Sequence, residues 1–426
     1  MSLAPEYQRI ITISNREFIP LRHWRKVALP LCGAAGGWMA FDDTKLIHHG
    51  QLENVAQGFL IGAMLLALAW RGVERPRQAF GVMLGWYLGA CAALPGIWMH
   101  FFGGQAWAGV AVWLLLAALL SAPYALSLLA PHGARFGIVI GIILTALPPL
   151  GWIGLASPLF IAGAMFPGLG LLGIALLFTF FLLSGLRNRV GDTLAIGMVM
   201  WGALHAALPS PKAPADSWGM LTFDGAYPPK ATFRDIFPRQ DQIKAQVLDA
   251  LRAGAKLIVI PEGSDPAWDN GQAFYWKDVA GAARRRNAQV LLGVYTAGFP
   301  PDRSQDGLVD LASGALYPAS IPMPIGMWKP WSRDRWERNF PPAFSRVEIL
   351  PTRYGPAAYS ICYENLIPWP LVRAMLSAQR PRLLIAADNQ WFAAGSLSRP
   401  QMRSLQMQAA IWGIPLIRAI NWPVPR

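Results

Sequence analysis

Apolar residues follow two rhythms along the 426-residue chain. Up to about residue 209 they form long, nearly unbroken runs. Beyond it, short apolar stretches alternate with segments that place an apolar residue every three or four positions. The long runs lie near 27–41, 55–71, 79–99, 106–130, 136–155, 158–185 and 192–208. A membrane-crossing helix needs about 20 mostly apolar residues, so these runs predict about seven transmembrane helices. The first is short and rich in glycine, and fits least well.

The second rhythm predicts helices alternating with buried strands. "RQDQIKAQVLDALRAGAKLIVIPEG" reads as a helix, a glycine stop and the strand "KLIVIP". "WKDVAGAARRRNAQVLLGVYTA" repeats the pattern. "RVEILPTRYGPAAYSICYEN" reads as two strands, and the segments ending in "RLLIAAD" and "PLIRAIN" each read as helix then strand. Such alternation indicates a layered α/β or α+β domain. Between the halves, "LPSPKAPADSWG" has the Pro, Ser and Ala content of a linker. The expected organisation is a segment 1–26, a membrane domain 27–209, a linker 210–219 and a second domain 220–426.

Composition strengthens the membrane reading. The chain is 54% hydrophobic and 14% charged, with mean hydropathy +0.32, where a soluble domain carries about 25% charge. The net charge of +13 first suggests nucleic acid. Its distribution points elsewhere, and no direct nucleic-acid binding is expected. Arg22, Arg25 and Lys26 precede the first run; Arg71, Arg75 and Arg77, then Arg135, then Arg187 and Arg189 fill alternate links. The links between them, such as "HFFGGQ", are poor in Lys and Arg. Basic links face the cytoplasm. The expected topology is therefore a multi-pass inner-membrane protein with a cytoplasmic N-terminus and a periplasmic C-terminal domain. No cleavable signal peptide is evident, the start being polar and basic. The runs hold few ionisable groups, His205 being the main exception, which favours an anchor over a transporter. Membrane lipids are the first expected partner.

The three cysteines do not make a disulfide framework. Cys32 and Cys91 lie in apolar runs and read as packing residues. Cys362 differs, because it ends the strand "AAYSI". Glu262 ends "LIVIP", and Asp388 and Asn389 end "LLIAA". Strand ends are where layered α/β folds place chemistry. A carboxylate beside a thiol can take its proton and so generate a nucleophile. Taken singly, Glu262 could lead a loop and Cys362 could fill a core. Nothing indicates a metal site or an organic cofactor.

Four elements in order resemble one family: "VIPEG" with Glu262, "ICYEN" with Cys362, Tyr363 and Glu364, "ADNQWFAAG" with Asp388, Asn389, Trp391 and Phe392, and "WGIPLIRAIN" with Gly413, Pro415 and Arg418. The family is the nitrilase (carbon–nitrogen hydrolase) superfamily, in its apolipoprotein N-acyltransferase-like membrane branch. "ASIPMPIGMWKPW" narrows the similarity to conjugal-transfer proteins of Ti-type plasmids. The resemblance implies a four-layer α-β-β-α sandwich and a Glu–Lys–Cys triad, with Glu262 as base and Cys362 as nucleophile. It implies a Cys-dependent amidase or N-acyltransferase that forms a thioester on an envelope or lipid-linked substrate, with pilin or other conjugation-apparatus proteins as partners. The alternative is an inactive assembly protein of that apparatus.

Two departures qualify the resemblance. The family's lysine stands in Tyr-x-Lys-x-x-Leu-Val-Pro-Phe-Gly; here Tyr317, Pro324 and Gly326 align and leave Ala319 in the lysine's place. The nearest lysine, Lys329, is the candidate substitute. The chain also stops at "RAINWPVPR", where the family continues, so the sandwich is expected to be truncated.

Overall fold

The computed structural model describes residues 21–41, 52–130, 132–206, 211–227, 231–296, 298, 303–333, 337–393 and 399–423. The first 20 residues of the expected cytoplasmic segment, most of the link after the first apolar run, and linker residues 208–210 lie outside them.

The N-terminal region is helical: α1 (Leu21–Phe41), α2 (Leu52–Arg71), α3 (Pro76–Ala90), α4 (Leu94–Phe102), α5 (Ala106–Ser127), α6 (Gly133–Ala146), α7 (Ile161–Met165), α8 (Leu171–Ser184) and α9 (Arg189–Ala206). The glycines of the first run find their reason here. A Cβ on Gly33 or Gly37 would collide with the carbonyls of Val82 or Trp86 in α3. Reciprocally, one on Gly85 or Gly89 would collide with those of Pro30 or Ala34 in α1. Small residues four apart on both helices let the backbones touch. Inside, several hydroxyls satisfy one another. Tyr124 Oη lies 3.3 Å from Tyr87 Oη and 3.2 Å from Thr145 Oγ1. His205 uses Nδ1 on the carbonyl of Trp201 in its own helix. Arg71, closing α2, pairs with Asp192 in α9.

Every long apolar run falls in this region, yet several are not single rods. The run 79–99 is α3 plus α4, bent by 50°. The run 158–185 breaks between α7 and α8, where Gly168 and Gly170 take positive φ. The run 136–155 leaves the helix before Pro148 and Pro149. Among the described residues one helix, Ala106–Ser127, is long and apolar enough to cross a membrane, or two if the bent pair counts as one span. Run length alone does not register these breaks, which come from the backbone preferences of Pro and Gly.

The C-terminal region is an α/β sandwich. One sheet has the order β1 (Ser217–Gly219), β3 (Leu257–Val259), β5 (Gln289–Thr296), β6 (Asp306–Asp310) and β7 (Leu316–Pro318), with β4 (Asp265–Trp268) also on β5. The other has the order β2 (Leu221–Thr222), β11 (Leu416–Asn421), β10 (Leu383–Asn389), β9 (Gly355–Ile361) and β8 (Leu350–Thr352). β1, β3, β4 and β5 pair in parallel, as do β2, β11, β10 and β9; β5–β6, β6–β7 and β8–β9 are antiparallel.

The sheets face each other through Leu257, Val259 and Leu291 on one side and Ile385, Ala387 and Ile417 on the other. Helices α10 (Phe233–Arg252), α11 (Asn270–Tyr275) and α12 (Lys277–Arg285) accompany the first sheet. α10 and α12 bury Ile243, Val247 and Val279 on its outer face. Helices α13 (Trp369–Met375) and α14 (Arg399–Trp412) cover the second. This is the four-layer α-β-β-α arrangement expected. The far face of α14 packs on the helical region, so Met407 and Leu405 share one core with Phe41, Phe59 and Phe160. The Gly168 and Gly170 amides donate to the carbonyls of Ala410 and Ile411 at 2.8 and 2.7 Å. They thereby satisfy acceptors that a helix end leaves open.

Candidate functional site

Three strands deliver the site from their C-terminal ends: β3 leads to Glu262, β9 to Cys362, and β10 carries Asp388 and Asn389. β3 belongs to the first sheet and β9 and β10 to the second, and their ends meet at one rim of the sandwich, where the Asn389 amide reaches Glu262. Cys362 follows β9 with φ +48°, a left-handed conformation rare for a side-chain-bearing residue. Holding it there costs about 1–3 kcal/mol, and several contacts impose it. Gln401 of α14 donates to the Cys362 carbonyl at 2.7 Å. Tyr363 donates its hydroxyl to the Trp152 carbonyl of the helical region at 3.0 Å. Gln408 donates to the Asn365 carbonyl at 2.8 Å.

Glu262 is 2% exposed. Its carboxylate accepts from the Tyr295 hydroxyl at 2.9 Å and from the Asn389 amide at 3.0 Å. The Cys362 thiol and the Asp306 carboxyl lie near enough to act on it as well. Burial pushes its pKa up, against the pull of these four contacts. A thiol beside a buried, fixed carboxylate is the arrangement general-base activation requires. Burial, then the negative field of Glu262, Asp388 and Asp306, pushes the Cys362 thiol well above its ordinary range. The resting group is therefore a thiol, and the thiolate is formed on demand.

Glu364 spans the site's floor. Its carboxylate accepts from the amides of Ser320 (2.8 Å), Ile321 (3.0 Å) and Ile361 (3.1 Å). It thus clamps the exit of β7 to the turn bearing Cys362. Burial raises it to about 7 despite those three donors. Asp388 accepts from Asn365, and from Gln401 at 3.3 Å. Burial raises Asp388 to about 7 as well, opposed chiefly by the charge of Arg418. Asn389 is held by Asn421, which donates to its side-chain carbonyl at 2.9 Å. Trp391 and Phe392 lie against Phe101 of α4, with ring centroids 5.5 and 5.2 Å away. The helical region thus contributes an aromatic wall beside the rim.

The position expected to hold lysine is a methyl group in the inter-sheet core. Ala319 is 8% exposed, and its amide donates to the Asp306 carbonyl at 2.8 Å. Lys329 is engaged elsewhere: its ammonium pairs with Glu337, and its amide donates to Asn339 Oδ1 at 3.0 Å.

Glu262, Cys362, Glu364, Asp388 and Asn389 are thus brought together, while Lys329 is drawn into its own loop. Asp306, Tyr295 and Gln401 escaped the sequence reading. Asp306 and Tyr295 face each other across the β5–β6 pair, and no local motif marks either. Among the described residues no group of three His, Cys, Asp or Glu side chains is arranged to hold a metal.

No protein-family model matches the chain. It is similar to the conjugal transfer protein TraB of Agrobacterium fabrum, 28% identical over 422 residues, covering 93% of this chain and 93% of that protein. It is also similar to the probable conjugal transfer protein TraB of Sinorhizobium fredii, 27% identical over 368 residues, covering 84% and 92%. These are the conjugal-transfer proteins the sequence was expected to resemble. Among solved structures, a mutant of a Nesterenkonia amidase from the nitrilase superfamily aligns with TM-score 0.34 and 19% identity, covering 48% of this chain and 78% of that one. A carbon–nitrogen hydrolase from Helicobacter pylori aligns with TM-score 0.32 and 13% identity, covering 47% and 72%.

Proposed function

We propose that this protein is a membrane-anchored thiol enzyme of plasmid conjugal transfer, an amidase or N-acyltransferase acting on an envelope or lipid-linked acyl group. The observation that carries the reading is the Cys362 thiol beside the buried Glu262 carboxylate, on a left-handed turn at a strand end. The curated relatives' names support the conjugal context. Most exposed large apolar side chains lie in the helical region, Leu114, Leu115, Ile196 and Leu204 among them, which supports an anchor covered by lipid. The arginines of alternate links support a periplasmic sandwich. Phe101 beside Trp391 places the rim against the helical region, which suits a substrate held at the bilayer surface.

The chemistry follows from the pair. Glu262 takes the thiol proton as Cys362 Sγ bonds to the carbonyl carbon. The proton passes from Glu262 to the leaving amine or alcohol as its bond to that carbon breaks, leaving a thioester. Water or an amine then attacks, giving its proton to Glu262. The C–S bond breaks and the thiolate recovers that proton.

The test is thiol-directed acyl-probe labelling of membranes, with transfer frequency scored in parallel. Labelling at Cys362 that disappears in Glu262→Gln, together with loss of transfer in Cys362→Ala at normal protein level, is the expected result. Ala319 favours a second reading, an inactive nitrilase-like assembly protein of the transfer apparatus. Unchanged transfer in both variants would establish that reading and sink the enzyme.

A further inference from the structure

The site buries Glu262, Asp306, Glu364 and Asp388 beside the half-buried Cys362 thiol, each carboxylate at most 4% exposed. Among the described residues the cations near it serve other groups: Arg418 faces Asp388, Lys329 pairs with Glu337, and Arg338 lies over the Tyr295 and Phe340 rings and donates to the Pro266 carbonyl. At the lysine's position stands Ala319, bonded through its backbone to Asp306. Something else must offset the charge beside Glu262.

We propose that Asp306 is a positioning residue that holds a proton and donates it in a hydrogen bond to Glu262, doing with a neutral acid what the missing ammonium would do with charge. This rests on the reading of Glu262 as base. Asp306 is buried opposite Tyr295, whose hydroxyl bonds the buried Glu262, and the two carboxyls stand close enough to act on each other; two neighbouring buried carboxyls are not both ionised. One proton must lie between them. Glu262 has two hydrogen-bond donors, the Tyr295 hydroxyl and the Asn389 amide, with the Cys362 thiol beside it. Asp306 has a weaker set. The Gly307 amide lies near its carboxyl, and its Oδ1 is buried with no hydrogen-bond partner among the described residues. A bare buried oxygen costs less on a neutral acid than on an anion. The groups facing Asp306 are Glu262, Glu364, Tyr295 and Cys362. None is a cation, and the carboxyls Glu262 and Glu364 favour the protonated form. Burial and the charge of Glu262 act the same way, raising Asp306 well above the usual carboxylate range. Glu262 then stays a carboxylate, oriented by the acid on one side and free to accept the thiol proton on the other.

The experiment measures iodoacetamide labelling of Cys362 against pH in the full-length protein, with infrared difference spectra of protonated carboxyls. Asp306→Asn keeps the charge and a donor. It is expected to label within about twofold of wild type at neutral pH while losing one protonated-carboxyl band. Asp306→Ala removes the donor and is expected to label more slowly at neutral pH. If Asp306 were ionised, the Asn variant would lower the thiol pKa by about one unit or more. It would then label about tenfold faster at neutral pH, with no band lost, and the proposal would fail. Equal labelling by the Ala and Asn variants would also overturn it. In Glu262→Gln, which leaves Asp306 intact, the same band is expected to disappear at a lower pH than in wild type; an unmoved band counts against the proposal. The infrared readout does not depend on Cys362 being catalytic. Wild-type labelling no faster than in Glu262→Gln would therefore defeat the enzyme reading and leave the proton assignment to be judged by the band.

Discussion

The helical region and the sandwich bury their polar groups by opposite rules. In the helical region, isolated hydroxyls bond one another or a backbone carbonyl, as the Trp86 indole does, and many large apolar side chains point outward. In the sandwich, apolar side chains point inward, and carboxyls are buried with them along one rim. The first rule suits surroundings that cannot hydrogen-bond. The second concentrates acids where water is excluded, which forces protons onto some of them. Helix α14 joins the two regimes. Met407 enters the core shared with the helical region, while Gln401 and Gln408 hold the Cys362 turn. The candidate site in the sandwich is therefore mechanically connected to packing among the N-terminal helices.

The comparison breaks most severely at the close helix contact. Gly85→Leu places a branched side chain against the Pro30 carbonyl. It is expected to cost about 3 kcal/mol or more, read as loss of folded protein in detergent by size exclusion. Thermal midpoints against pH probe the second rule. Glu364 and Asp388 are raised to about 7, so the folded state holds protons that the unfolded chain releases near pH 4. Their contribution is complete below about pH 4 and is lost as pH rises to about 7. The midpoint should fall across that window, and fall less in Glu364→Gln.

Gln401→Ala sharpens the role of α14. Leaving the Cys362 carbonyl without its donor is expected to cost about 1–3 kcal/mol and to slow Cys362 labelling without abolishing it. A stability loss with unchanged labelling would separate the helix from the chemistry. The smallest effect belongs to Lys329→Ala. Its pair with Glu337 is partly exposed and worth less than about 1 kcal/mol. Labelling should stay at the wild-type rate, and a fall of about a hundredfold would restore Lys329 as a triad member.

Much of this was legible in the residues. "LIVIPEG", "AAYSICYEN" and "LLIAADNQ" each present an apolar run ending in a reactive group, and burial on both faces of a strand makes that pattern readable. Ala319 was equally visible as a departure. What Lys329 does instead was not, because Glu337 reaches it through a loop conformation. Nor was Asp306, which meets Glu262 only because β5 and β6 pair in the register that sets it opposite Tyr295. The apolar runs located the helices, but not the 50° bend between α3 and α4.

Hydrophobic periodicity, a property of neighbours along the chain, determined by itself that a helical apolar half precedes a layered α/β half, and which strand ends carry reactive groups. Tertiary structure alone decided which of those ends converge, that a fourth carboxyl joins them, and that Phe101 of the helical region stands at their rim. Those outcomes depend on strand register and helix direction. Both are set by packing between residues far apart in sequence, which no local pattern encodes.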